Sequence, residues 1–343
     1  MGWTTETIAS TAELAIVHGV ASGGGTMWAF GMARRSGGRE TRIFRRNGWN
    51  QDGGSENSEW RRVTAPAISW LSGATVISPD DAWLVGPEAA LHWTGVSCQP
   101  VPIPRLPHAD TVLVDFCQFG PDLMWAAGSV MAHVTPEQLP GHSRGIVCRW
   151  DGTRWAEVAL PAIRSDRWTL GGIDGCAPDD IWVVGSDGEQ PILLHGDGRH
   201  WDRMPTPAIA PEHGVNHVVA LATDDVWAFG LRGAMRWDGR AWSLAQPPPE
   251  PRISIRRVVR HGSQIWALGG ARTGRIIEPY VAELVDSAWR TLAGPACPSG
   301  FTHASLGGGA LLPDRSGLLV CGENGIGRPP NVATPPFVAV CRW

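Results

Sequence analysis

The segment Trp-x-x-Gly recurs along the chain and closes a short apolar run each time: Trp28 to Gly31, Trp83 to Gly86, Trp125 to Gly128, Trp182 to Gly185, Trp227 to Gly230 and Trp266 to Gly269. A seventh copy, Leu319-Val320-Cys321-Gly322, lacks the tryptophan. The seven anchors lie 55, 42, 57, 45, 39 and 53 residues apart, and a mean near ~48 fits a unit of four short strands. One such unit cannot bury its own apolar face, so neighbours must stack on it. Long helices are ruled out by Gly 43 and Pro 28 in 343 residues, which interrupt the chain too often.

The rest of each unit can be placed around its anchor, which we label strand b. An alternating apolar run such as Val218-Val219-Ala220-Leu221 precedes it as strand a, and in three units the a-to-b turn carries an acidic pair: Asp80-Asp81, Asp179-Asp180 and Asp224-Asp225. These pairs read as turn caps of the Asx type rather than calcium ligands. Strand c ends in tryptophan, as at Trp93, Trp150, Trp237 and Trp343. Asp-Gly pairs follow at Asp151-Gly152, Asp197-Gly198 and Asp238-Gly239, where a tight hairpin needs φ > 0. Strand d then opens at Trp60, Trp155, Trp201, Trp242 and Trp289. The chain stops at Trp343, the end of a strand c, whereas its start, Gly2 to Ile8, reads as a strand d with no a, b or c before it. The two ends complete each other. The expectation is an all-β, seven-bladed β-propeller over residues 1–343, a single domain whose ring is closed by an N-terminal strand (2–9) completing the last blade.

The Asp-Asp-x-Trp-x-x-Gly segment followed by x-Trp-Asp-Gly-x-x-Trp resembles the tryptophan-rich repeats of bacterial seven-bladed β-propellers, and is more distantly similar to Asp-box and propeller-lectin repeats. The resemblance covers nearly the whole chain. It implies the fold and says little about function.

Most tryptophans are thereby assigned to packing between units; Trp49, Trp70 and Trp168 fall outside the frame. Trp70 and Trp168 both precede a strand-b anchor by 13 or 14 residues. They stand where strand a enters from the b-to-c and d-to-a loops, which are long, unequal and rich in ionisable residues. With His108, Arg167, Arg252 and Arg328 they are the candidate ligand-binding groups of a single loop-face funnel. If the funnel holds an enzyme, His213, His217 and His303 are candidate acids or bases, supported by Asp166, Glu278 and Tyr280. His213 and His217 enter a strand, where a four-residue offset separates the rings by roughly 13 Å, so no metal is expected there. Gly141-His142-Ser143-Arg144-Gly145 matches a nucleophile-elbow pattern but lies in a b-to-c insertion rather than at a strand-to-helix bend.

All 29 basic residues are arginine, which excludes P-loop, Schiff-base and pyridoxal phosphate chemistry. No cofactor is expected. A net charge of -4 without an arginine run longer than two argues against a nucleic-acid partner. No segment reads as a leader or as a membrane span, and seven scattered cysteines without Cys-x-x-Cys point to the cytoplasm. The leading functional expectation is binding of one small molecule, glycan or peptide. The alternatives are a metal-independent lyase, hydrolase or cyclase, for instance in natural-product metabolism, and a protein-interaction scaffold.

Overall fold

The computed structural model describes residues 2–6, 8, 16–35, 38–48, 59–133, 142–207, 214–231, 233–246, 248, 252–296, 303–325 and 336–343. Among these the chain is strand and turn throughout, with no helix and so none long and apolar enough to cross a membrane.

Residue contacts divide the chain into two units. The first comprises Met1–Leu84, Leu91–Gln99 and Pro248–Trp343; the second comprises Val85–Ala90 and Pro100–Pro247. In chain order, β1 (Gly2–Glu6) precedes a sheet of β2 (Ile16–Gly23), β3 (Thr26–Arg35), β4 (Gly38–Asn47) and β5 (Arg61–Val63). The next sheet is β6 (Gly73–Ser78), β7 (Asp81–Val85), β8 (Ala90–Trp93) and β9 (Cys98–Val101). Three sheets follow in the second unit. They are β10 (Ala109–Gly120), β11 (Leu123–Ala132), β12 (Ser143–Trp150) and β13 (Trp155–Glu157); β14 (Thr169–Ala177), β15 (Asp180–Ser186), β16 (Pro191–Gly196) and β17 (Trp201–Arg203); and β18 (Val215–Ala222), β19 (Asp225–Gly230), β20 (Ala234–Trp237) and β21 (Trp242–Ala245).

The remaining strands return to the first unit: β22 (Ile253–His261), β23 (Gln264–Thr273), β24 (Ile276–Val285), β25 (Ala288–Leu292), β26 (His303–Leu311), β27 (Gly317–Gly325) and β28 (Pro336–Arg342). The repeat frame predicts two separate sheets here, and the structure has one eight-stranded mixed sheet. It consists of two antiparallel runs, β22-β23-β24-β25 and β26-β27-β28-β1, joined by a single parallel pair, Ile277 and His303. The strand at the chain start pairs antiparallel with β28 from Gly2 opposite Arg342 to Glu6 opposite Val338.

Strand b is apolar on both faces because both faces are covered. On β15, Ile181 and Val183 pack with Trp125, Val147 and Ile192, whereas Trp182 and Val184 pack with Val218, Ala220 and Val226. The same alternation divides β3, with Met27 and Ala29 against Leu319 and Val338, and Trp28 and Phe30 against Leu84 and Leu91.

The anchor glycine has a steric cause. Six a-b pairs share one register irregularity, a β-bulge beside that glycine, as between Leu170 and Gly172 on β14, where Gly185 pairs Leu170. The bulge bends strand a across strand b. A methyl carbon built on Gly185 would lie 1.9 Å from the Thr169 carbonyl oxygen, and Gly31, Gly128, Gly230, Gly269 and Gly322 each face a carbonyl in the same way. No side chain fits there.

The Asp-Gly turns are held by the aspartate. Asp151 accepts the N–H groups of Thr153 and Arg154 at 2.9 Å each, and Asp197 and Asp238 repeat this with Arg199 and His200 and with Arg240 and Ala241. The Thr153 hydroxyl and these amides hold the Asp151 carboxyl down to about 2. Gly152, Gly198 and Gly239 take φ of 90°, 83° and 87°. The tryptophan before this turn ties it to the a-to-b turn of its own sheet. Trp93, Trp150 and Trp237 donate their indole N–H to the carbonyls of Pro79, Pro121 and Thr223 at 3.3, 3.1 and 3.2 Å.

The acidic pairs act differently from the expectation. The second aspartate of each pair opens strand b and pairs with a nitrogen-bearing side chain on strand c: Asp81 with His92 at 2.9 Å, Asp180 with His195 at 2.8 Å and Asp225 with Arg236 at 2.8 Å. That side chain covers the anchor tryptophan. His92 stacks on Trp83 at 4.0 Å, His195 on Trp182 at 4.3 Å, and the Arg236 guanidinium lies 5.3 Å from the Trp227 ring. The second aspartate is a partner for that side chain, not an Asx cap.

Candidate functional site

In the second unit the chain leaving β13 meets the start of β12. Ser143 donates its N–H to the Asp166 carbonyl at 3.1 Å and accepts from the Trp168 N–H at 2.9 Å, so Ser143 and Arg167 form an isolated parallel bridge. The first unit repeats this juxtaposition of strand c with the following strand a at Ile277 and His303. Both backbone groups of Ser143 are thereby used, and the residue opens a strand rather than a strand-to-helix bend.

Trp168 is seated by glycine. A methyl carbon on Gly145 would fall within the indole, which covers that backbone and packs with Leu170, Val147 and Leu194. It is 8% exposed. The funnel wall expected from sequence is therefore mostly buried, with only an edge left to a cavity of about 540 Å³. Ser143, Asp166, Arg167, Thr169, Ser186 and Asp187 complete the lining with Ser165 and Gly188. The Ser165 hydroxyl accepts from the Arg167 N–H at 3.2 Å and donates to the Arg167 carbonyl at 3.0 Å, which fixes the backbone and leaves the guanidinium exposed. Asp187 accepts the N–H groups of Glu189 and Gln190 at 3.1 and 2.7 Å. Ser186 and Asp187 were not anticipated, although the Asp187-Gly188 pair is the same turn signal read elsewhere in the chain.

His217 lies half-buried on β18, paired with Phe229 immediately after the bulge, and His213 is outside the described residues. His108 is exposed with φ of 57°; its carbonyl accepts from the His133 N–H at 2.8 Å, and His133 pairs with Asp110 at 3.0 Å. Neither His108 nor His217 lines the 540 Å³ cavity.

The other candidates lie in the first unit. His303 is half-buried, and burial, followed by the Arg256 guanidinium, pushes its imidazole below the ordinary histidine value; Glu323 opposes this and Arg272 adds to it. Glu278 adjoins Ile277, the bridge partner of His303, and the Arg272 N–H donates to the Arg252 carbonyl at 2.9 Å. Arg252 and Glu278 are exposed, whereas Tyr280 is 3% exposed and belongs to the sheet interior. Trp70 is half-buried between β5 and β6, in a different unit from Trp168. Arg328 and Trp49 are outside the described residues. Among those described, no group of three or more His, Cys, Asp or Glu side chains is placed to hold a metal.

No protein-family model and no curated protein matches the chain. Solved structures do. YCF48 from Cyanidioschyzon merolae aligns over 100% of this chain and 99% of its own, with a TM-score of 0.61 at 13% identity. A chain of the mitotic checkpoint complex aligns over 99% of this chain and 94% of its own, with a TM-score of 0.59 at 10% identity. Puromycin hydrolase aligns over 94% of this chain and 52% of its own, with a TM-score of 0.59 at 11% identity. The neighbours include propeller-type folds, and the likeness bears on the fold.

Proposed function

We propose that residues 1–343 form a single seven-bladed β-propeller that binds one small polar ligand, with the Asp166-Arg167-Trp168 cavity as the site. Seven four-stranded runs, counting β1 with β26 to β28, support the blade number. The free state of the described cysteines fits a cytoplasmic protein. The observation that carries the binding reading is the lining of the 540 Å³ cavity: four hydroxyls, two carboxylates, one guanidinium and an indole edge. Carboxylates accept from ligand hydroxyls, the guanidinium donates, and the indole edge covers a C–H surface, a combination that favours a glycan-like polyol over a peptide. The lining is particular to this place in the repeat, so one site is favoured over seven.

The test is a thermal-shift screen of mono- and disaccharides, amino acids and short peptides on wild type, Asp166→Asn and Arg167→Gln. Both side chains are exposed, and the bridge uses backbone groups, so the variants should fold. A ligand at 100 times its Kd stabilises the native state by about 2.7 kcal/mol. The reading requires a hit whose shift is lost in Arg167→Gln; an equal shift in both proteins, or no hit, sinks it.

A second reading, a metal-independent hydrolase, lyase or cyclase, rests on His303, a half-buried imidazole at the Ile277 bridge with Arg256, Arg272 and Glu323 close enough to influence it. Turnover of activated esters or lactones that vanishes in His303→Gln and survives in Arg167→Gln would favour it.

A further inference from the structure

We propose that Ser143, His133 and Asp110 form an acyl-transfer centre beside the cavity of about 540 Å³, one that hydrolyses the acyl ester of a polyol. The inference rests on the polyol reading of that cavity for its leaving group, and on strand register for its nucleophile.

The register brings the three side chains to one face of the β10-β11-β12 sheet. Asp110 pairs with Met131 across β10 and β11, and Met131 pairs with Ser143 across β11 and β12. Directly opposed residues of antiparallel strands share a face, so Asp110, Met131 and Ser143 stand in one row. His133 lies two positions beyond Met131, where its N–H donates to the His108 carbonyl at 2.8 Å and prolongs the β10-β11 pairing. Its Nε2 lies 3.0 Å from Asp110 Oδ1, which puts the imidazole on that same face. Diagonal neighbours on adjacent strands are about 7–8 Å apart, a span within reach of an aromatic side chain, and Ser143 is the diagonal neighbour of His133. Ser143 lines the cavity, and Gly145, on the same face two positions later, lies under the Trp168 indole. The row therefore looks toward the ligand. A nucleophile elbow presents its serine at a strand-to-helix bend; here Ser143 is half-buried as the first residue of β12.

The chemistry follows from what each group can donate or accept. A carboxylate only accepts, so Nε2 of the neutral imidazole carries the proton and Nδ1 is the acceptor that a general base needs. Nδ1 takes the Ser143 proton as Oγ bonds to the ester carbonyl carbon. The carbonyl oxygen becomes an oxyanion, and the Arg167 guanidinium, on the residue bridged to Ser143 and lining the same cavity, donates to it. The bond from carbon to the polyol oxygen then breaks, and the imidazolium gives its proton to that oxygen. Water, deprotonated by His133 in the same way, releases the acyl group as a carboxylic acid and restores Ser143. The His133 and Asp110 side chains are 58% and 63% exposed, open to that water. Met131 is 43% exposed between Asp110 and Ser143, an apolar surface for the acyl group.

The probes are p-nitrophenyl acetate and a fluorophosphonate, neither of which needs the polyol, on wild type, Ser143→Ala, His133→Gln, Asp110→Asn and His303→Gln. Alanine keeps both backbone bonds of the bridge, so Ser143→Ala should fold. Wild type should release nitrophenolate and take the phosphonyl group on Ser143 with loss of fluoride, as peptide mapping would show. Turnover should fall at least ~100-fold in Ser143→Ala and His133→Gln and persist in His303→Gln. Asp110 is a positioning residue, so Asp110→Asn should lower kcat and leave KM unchanged. No turnover and no label in wild type, or equal turnover in Ser143→Ala, overturns the proposal. A sugar that raises the melting point of wild type with no ester turned over overturns this inference alone. Turnover at Ser143 with no sugar shift upholds the nucleophile and removes the polyol.

Discussion

Replacing Gly185 by alanine tests the steric origin of the repeat. The added methyl carbon would sit 1.9 Å from the Thr169 carbonyl oxygen, about 1.5 Å inside the 3.4 Å at which ordinary contact begins. The atom in its way is backbone, held in the β14-β15 ladder beside the bulge, so no rotamer change can clear it. Overpacking of this kind costs about 1–3 kcal/mol, and a clash with backbone belongs at the upper end. Alanine also restricts the unfolded chain, which returns about 0.4–1 kcal/mol. The net loss is about 2 kcal/mol, or roughly 3 °C in Tm for a chain of this size. Gly307→Ala is the control, because a methyl carbon there meets nothing within 4 Å. Melting both variants by circular dichroism, beside urea titrations, decides the matter. If Gly185→Ala is as stable as Gly307→Ala, the carbonyl is not what keeps the anchor position glycine.

Three further outcomes are expected. Asp180→Asn removes the carboxylate hydrogen-bonded to His195 over Trp182 and should cost about 1–2 kcal/mol in urea unfolding at pH 7; a loss below ~0.5 kcal/mol would make the sandwich incidental. The Asp151 carboxyl is lower in the fold than in the unfolded chain, so its contribution is present above the ordinary carboxylate value and lost as pH falls from about 4 toward about 2. Asp197 and Asp238 are lowered in the same direction, so the Asp→Asn triple variant should show a flatter acid limb of stability over that window, and an unchanged limb would contradict it. Burial pushes the Cys148 and Cys321 thiols up to about 12, so at pH 8 both should resist a thiol reagent that labels the exposed Cys176, as peptide mapping would show.

What could be read from the sequence followed from periodicity. The Trp-x-x-Gly anchors, the Asp-Gly turns and the orphan strand at the start all mark features that recur or pair by simple rules, and strands stand at those places. What escaped depends on neighbours distant in sequence. Asp180 looks like a turn residue until its sheet brings His195 within 2.8 Å. Trp168 looks like a free aromatic until Gly145, 23 positions earlier, is seen to make room for its ring. Tyr280 falls on the buried face of β24 because strand register, not loop length, sets its direction.

The pairing of β1 with β28 also sets an order of events. Gly2 finds its partner at Arg342, so β1 has nothing to pair with until β28, some 340 residues further along, has been made. The closure entropy of so long a loop grows only logarithmically with its length, but the search is slow and leaves the edge of β28 open meanwhile. A nascent or truncated chain without β1 would carry that bare edge as a docking strip for other chains. A strand with no fully buried residue of its own is therefore the one whose late pairing governs whether newly made molecules stay apart.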